Sequence, residues 1–177
     1  MNTDNKNMML SEGATLDAVW AILKTINDPE IPVLSITDLG VIRNVGIQNQ
    51  TDSSEPIITI TITPTYSGCP AMDLISVQIK MAMIAAGFHQ TKIEQALSPA
   101  WTTDWITENG KQQLKAYGIA PPVGKSFDNA YLEDLAIECP QCNSTNTTLV
   151  SAFGSTACKA LFKCNDCKEP FDYFKCH

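Results

Sequence analysis

The sequence predicts an α+β domain, a small mixed sheet with helices on one face, followed by a small cysteine-rich β module. Three observations carry that expectation. Ile57 to Thr63 alternates isoleucine and threonine, so that Ile58, Ile60 and Ile62 share one face of a strand. Ala71 to Ala86 follows at once, with Met72, Ile75, Ile79 and Met83 at helical spacing. Six of the seven cysteines then crowd into the last 39 residues, from Cys139 to His177.

Before the first strand, Leu16, Val19, Trp20, Leu23 and Ile26 predict a helix over Thr15 to Ile26, with Thr15 as its cap. It should stop before Asp28-Pro29, because a residue preceding proline avoids the helical region. Asp28-Pro29-Glu30-Ile31-Pro32 is a stiff loop with two carboxylates. The usual reading is a solvated turn closed by an Asp side-chain bond to backbone, and the less usual one is a role beside a metal or partner. Ile36 to Ile47 predicts a strand broken near Leu39-Gly40, forming a hairpin with Ile57 to Thr63. Lys92 to Leu97 adds a third strand, and Thr107 to Tyr117 a further helix ending at Gly118. The order α-β-β-α-β places helices on one face of a small sheet.

Between the second strand and its helix lies Pro64-Thr65-Tyr66-Ser67-Gly68-Cys69-Pro70. Pro70 suits the first helical position and Gly87 the end. Cys69 thus faces a fringe of unpaired backbone N–H groups, which should lower its pKa, with Asp73 in the same turn working against this. Two readings compete. Cys69 is a small buried apolar residue, as most lone cysteines are, or a reactive thiolate that attacks an electrophile or binds a soft metal or cluster.

The 177 residues suffice for one ordinary domain and a small module. No apolar run approaches the roughly 20 residues that span a bilayer, and residues 1–14 read as a flexible polar lead-in without secretory character, so a cytoplasmic protein with no membrane partner is expected. The net charge of −7 argues against a nucleic-acid partner. The charge is uneven: from Cys139 onward four lysines face three carboxylates, leaving −8 on the residues before.

Cys139-Pro140-Gln141-Cys142 and Cys164-Asn165-Asp166-Cys167 are two CxxC knuckles with 21 residues between them. Each offers two thiolates from one tight turn, and together they close a tetrahedral S4 site. Thr147 to Phe153 and Ala160 to Lys163 supply the β-ribbon that joins them. So short a segment needs a staple, and structural zinc contributes on the order of 10–16 kcal/mol to such peptides. Zinc is expected ahead of a mononuclear iron or a cluster. Cys158, Cys176 and His177 remain over: Cys158 as a packing residue, the terminal pair as an exchangeable ligand pair or a frayed end.

Asp28-Pro29-Glu30, Ile36-Thr37-Asp38-Leu39-Gly40 and Thr63 with Cys69-Pro70 resemble the signature of the SufT-type iron–sulfur assembly and targeting domain. Phe153 to Leu161, Phe171 to Cys176, Trp101-Thr102-Thr103-Asp104-Trp105 and Gly118 to Pro122 resemble the PaaD (PaaJ) family of phenylacetyl-CoA epoxidase systems. The match covers nearly all of residues 15–177 and divides the chain into a SufT-like domain (15–118), a linker (119–138) and a zinc ribbon (139–177). The resemblance implies an accessory protein of aerobic phenylacetate catabolism without catalysis of its own, serving iron–sulfur or metal maturation of the oxygenase or of its ferredoxin-type reductase. It assigns Cys69 as the reactive position, carrying iron or a transient cluster, with Asp28 and Glu30 as the acidic loop beside it, and leaves the ribbon to supply client specificity.

Other readings follow from the residues. A non-catalytic component bound stably to the oxygenase would use the ribbon and an exposed Trp101/Trp105 pair as anchors. A thiol-dependent enzyme would lack a partner for Cys69, since His89 and His177 are the only histidines. A homodimer with paired Cys69 sites is a geometry these residues allow.

Overall fold

The computed structural model describes residues 16–50, 55–123, 132 and 135–175. Thr15, Cys176, His177, residues 1–14 and part of the 119–138 segment lie outside them. Helix α1 (Leu16–Leu23) buries Val19 and Leu23. It ends three residues short of the expected Ile26. Backbone pairing is the reason: the Ile36 N–H donates to Ile26 O at 2.9 Å, and Asn27 forms an isolated bridge with Ser35.

Strand β1 (Ile42–Gln48) pairs antiparallel with β2 (Ile57–Ile62), the expected hairpin. Residues 36–40 are turns rather than strand: Leu39 N–H donates to Ser35 O, and Gly40 N–H to Thr37 O. Gly40 has φ +75°, and a Cβ there would stand 2.6 Å from the Trp105 carbonyl oxygen, so both conformation and space require glycine. Helix α2 (Ala71–Ala85) returns the chain to β3 (Thr91–Gln95), which lies parallel to β2 in the order β1-β2-β3. The α2 helix closes as a Schellman motif, with Phe88 N–H donating to Met83 O and Gly87 N–H to Ile84 O, each at 2.9 Å. Ile58, Ile60 and Ile62 are fully buried beneath Met72, Ile75, Ile79 and Met83. Burying each such side chain contributes about 1.5–3 kcal/mol. Leu97 falls outside β3 and is exposed, because β3 is an edge strand that ends at Gln95.

Helix α3 (Glu108–Tyr117) is capped by the Thr107 hydroxyl, which accepts from Gly110 N–H, and ends at Gly118. A second sheet follows in the order β4-β7-β6-β5: β4 (Ile119–Ala120), β5 (Thr147–Ser151), β6 (Lys159–Cys164) and β7 (Pro170–Phe174). Strands β5 and β6 are close to the two that the ribbon was expected to contain. Strand β7 was not among the expected strands; it is held by pairing with β6 on one side and β4 on the other.

Alternation along β7 divides two cores. Phe171 and Tyr173 pack with Phe162, Ala160 and Ile137 inside the ribbon, whereas Phe174 joins the core of the first sheet, as does Cys158. Phe174 meets Trp101 edge-on, with ring centroids 6.0 Å apart, and the Trp101 indole N–H donates to Leu39 O at 3.0 Å. Trp101 is therefore core and not an exposed anchor; Trp105 is half-buried, with the Arg43 guanidinium 3.3 Å above its ring. No helix among the described residues is long and apolar enough to cross a membrane.

Candidate metal centre and thiol pocket

The two knuckles converge. The sulfurs of Cys139, Cys142, Cys164 and Cys167 all lie within 4.8 Å of one another. Cys139 and Cys167 are 3.8 Å apart, and Cys142 and Cys164 3.5 Å. A tetrahedral thiolate site with metal–sulfur bonds of about 2.3 Å has edges of about 3.8 Å, so this donor set fits one metal ion. Backbone N–H groups of Ser144 and Glu169 are directed at the sulfurs of Cys142 and Cys167. The Cys167 N–H, and after it the Asp166 N–H, hold the Cys164 thiol down to about 7, towards the thiolate that a metal needs. Asp166 ties the knuckles together by accepting from Ser144 Oγ and, at 2.8 Å, from Asn146 Nδ2. Cys139 and Cys164 are buried, Cys142 and Cys167 exposed.

The second site is built around the acidic loop. Asp28 Oδ1 accepts from the N–H groups of Glu30 and Ile31, both at 2.8 Å, and Asp28 N–H donates to Leu34 O. This is the local side-chain bond expected of the turn, but the carboxylate is only 6% exposed rather than solvated. Burial pushes its pKa up, against the pull of the two N–H donors. With its backbone fixed by Asp28, Glu30 extends a half-buried side chain to Cys158, whose thiol donates to Oε2 at 3.6 Å.

Cys69 precedes α2 in a loop closed by Cys69 N–H to Tyr66 O at 3.2 Å. Its half-buried sulfur accepts from Ala71 N–H and from the Tyr66 and Thr65 hydroxyls. The expected N–H fringe is thus present, yet the expected lowering of the pKa is overturned. Burial raises it, and the negative charge of Glu30, not that of Asp73, adds to the rise. The raised pKa favours the neutral thiol, with three donors at its sulfur. The same Glu30 charge bears on Cys158, where burial first and then that carboxylate push the thiol up to about 11.

Cys69, Asp28 and Glu30 therefore share one neighbourhood, with Cys158 and Tyr66 as members that sequence reasoning left out. Only the leftover status of Cys158 could have hinted at it. Beside the Cys69 loop a cavity of about 80 Å3 is lined by Thr63, Pro64, Tyr66, Leu97 and Trp101. Small-molecule pockets occupy roughly 300–1,000 Å3, so this one has no room for a substrate of ordinary size.

Comparison with known proteins agrees with the two-part architecture. Residues 16–95 match a family model described as iron–sulfur cluster assembly protein, and residues 125–175 one described as PaaD zinc beta ribbon domain. A Porphyromonas gingivalis protein named as an Fe-S protein maturation auxiliary factor is 33% identical over 56% of this chain and 90% of its own length. The Fe-S protein maturation auxiliary factor YitW of Bacillus subtilis is 27% identical over 58% of this chain and 96% of its own. An Escherichia coli K12 protein, named as the D component of a 1,2-phenylacetyl-CoA epoxidase, is 52% identical over 89% of this chain and 91% of its own. Sharing that identity along nearly the whole sequence, and both modules with it, the chain belongs to the PaaD family of phenylacetyl-CoA epoxidase components.

Proposed function

We propose that this protein is an accessory maturation factor of a phenylacetyl-CoA epoxidase system, handling iron or an iron–sulfur cluster for the oxygenase or, more specifically, for its ferredoxin-type reductase. The observation that carries this reading is the Cys69 pocket: a half-buried thiol with three donors at its sulfur and the Glu30 carboxylate beside it. Two relatives named as Fe-S maturation auxiliary factors support it. In this reading Cys69 receives and passes on iron or a cluster as cargo. Glu30 supplies a hard oxygen ligand or a proton acceptor, and Asp28 holds the loop that presents it. The S4 site takes zinc, which keeps the ribbon folded while the ribbon docks the client.

A second reading, a component bound stably to the oxygenase, has one observation in its favour: α2 turns Leu74, Val77, Met81 and Ile84 to solvent. The deciding experiment measures iron and sulfide in the reductase co-expressed with this protein, with its Cys69→Ala form, or without it. Loss of clusters in both deficient cases, with the variant folded and zinc-loaded, is the expected result. Equal cluster content in all three sinks the maturation reading and leaves the stable component.

A further inference from the structure

The sheet of the first domain ends at β3, and among the described residues no further strand borders it. Two bonds fix which backbone groups that edge presents: Ile58 N–H donates to Gln90 O at 2.8 Å, and Ala96 N–H to Ile62 O at 2.9 Å. In a parallel ladder the residues that face the neighbour alternate, so Lys92 and Glu94 also turn their N–H and C=O towards β2. Thr91, Ile93 and Gln95 therefore turn theirs outward. We propose that this edge is a self-association surface, where a second copy of the chain lays its own β3 antiparallel, about a two-fold axis at Ile93.

The charge order of the strand points to that occupant. β3 reads Thr91-Lys92-Ile93-Glu94-Gln95, with Lys92 and Glu94 exposed and Ile93 packed against the core on the other face. Reversed upon itself, the segment is its own complement. With Ile93 opposite the partner's Ile93, Lys92 stands opposite the partner's Glu94, and Glu94 opposite the partner's Lys92. Facing Cβ atoms at such positions lie about 4.5–5.5 Å apart, and opposite charges there stabilise a sheet. The three ion pairs among the described residues use neither side chain. The same register sets Thr91 opposite the partner's Gln95 and Gln95 opposite the partner's Thr91. Each outward-facing pair exchanges two N–H···O bonds, which satisfies the backbone groups that β3 leaves open.

A lysine on an edge strand ordinarily guards against pairing. Here the guard is selective. Sliding the partner by two residues keeps most backbone bonds but sets Lys92 against the partner's Lys92, or Glu94 against the partner's Glu94, depending on the direction. Helix α1 packs on β1 and on α2, and α2 on β3, so α2 is the helix nearest the open edge. The two-fold sets both α2 helices on one face of a joined sheet, with the two Ile93 side chains between them. Because β2 runs parallel to β3, the two copies of β2 run in opposite directions, and the Cys69 loops that follow them stand at opposite ends of that sheet. Each copy keeps its own thiol site, so the association stands apart from the maturation reading.

Sedimentation equilibrium on the full, zinc-loaded chain, in reducing buffer at low salt, is the test, with tryptophan fluorescence checking the fold of each variant. Wild type should approach twice the 19.3 kDa chain mass as concentration rises. Lys92→Glu and Glu94→Lys each turn two attractions into two repulsions and should raise the dimer dissociation constant roughly tenfold or more. Mixing these two single variants should restore association, since each chain then carries the charges the other lacks. The double variant Lys92→Glu/Glu94→Lys should restore it too. Gln95→Pro removes an outward N–H and leaves the β2 ladder intact, so it should also weaken the dimer. Should Gln95→Pro not fold, the charge exchange alone decides. A wild type that stays monomeric at its highest soluble concentration overturns the proposal. So does a dimer that any of the folded single variants leaves undiminished, or a loss that neither mixing nor the double variant rescues.

Discussion

Phe174→Ala tests whether the ribbon and the first domain stand or fall together. Phe174 is the last residue of β7, yet its ring is 1% exposed inside the first core, edge-on to Trp101. Truncating a buried phenylalanine costs about 3–5 kcal/mol, the edge-to-face contact included. Little collapse can soften this, because Trp101 is itself 4% exposed and pinned to Leu39 O through its indole N–H. The expectation is a loss of about 4 kcal/mol. At about 2–4 °C per kcal/mol for a chain of this size, that is a fall of roughly 8–16 °C in Tm. All three tryptophans, Trp20, Trp101 and Trp105, lie outside the ribbon, so their fluorescence reports on the first core, Phe174 included where it meets Trp101. Zinc release, followed with a colorimetric chelator, reports on the ribbon. Both signals should move together in a urea titration of Phe174→Ala, and Phe174→Leu should recover all but about 1.5 kcal/mol. An unchanged fluorescence transition with early zinc release, or a total loss below about 1 kcal/mol, would refute the shared core.

The Asp38 carboxylate is pushed up by burial but held below its ordinary pKa overall by donors from Thr107, Ser35 and Asn109. A depressed folded pKa contributes stability present above the unfolded value of about 4 and lost as pH falls through the folded one. Asp38→Asn should thus lower the urea midpoint at neutral pH and converge on wild type in acid; a gap that stays constant across pH 3–7 would count against the assignment. Cys164→Ser opens the S4 site, removing a contribution on the order of 10–16 kcal/mol. Zinc content should fall to near zero, residues 139–175 should become protease-sensitive, and tryptophan fluorescence should shift as Phe174 leaves the core. Full zinc content with intact protease resistance would be the contrary outcome.

What could be read from the sequence was what local spacing encodes. The Ile57–Thr63 alternation, the α2 periodicity and the two CxxC turns each carry their own physics within a few residues, and each stands where it was expected. The errors share one cause, contacts between segments distant in sequence. Helix α1 stops early because residue 26 pairs with residue 36, and Trp101 is buried because β7 brings Phe174 to it. The same holds at the site. Chain-local reasoning saw the N–H donors at Cys69 and expected a lowered pKa; desolvation and the Glu30 charge, both supplied by the folded whole, outweigh them. That reversal bears on function. In the proposed maturation role, a neutral thiol that ionises only when a cation takes its proton would stay inert until cargo arrives, whereas a permanently ionised one would be open to oxidation. Desolvation sets that condition at the half-buried Cys69, and it raises the buried Cys158 thiol as well.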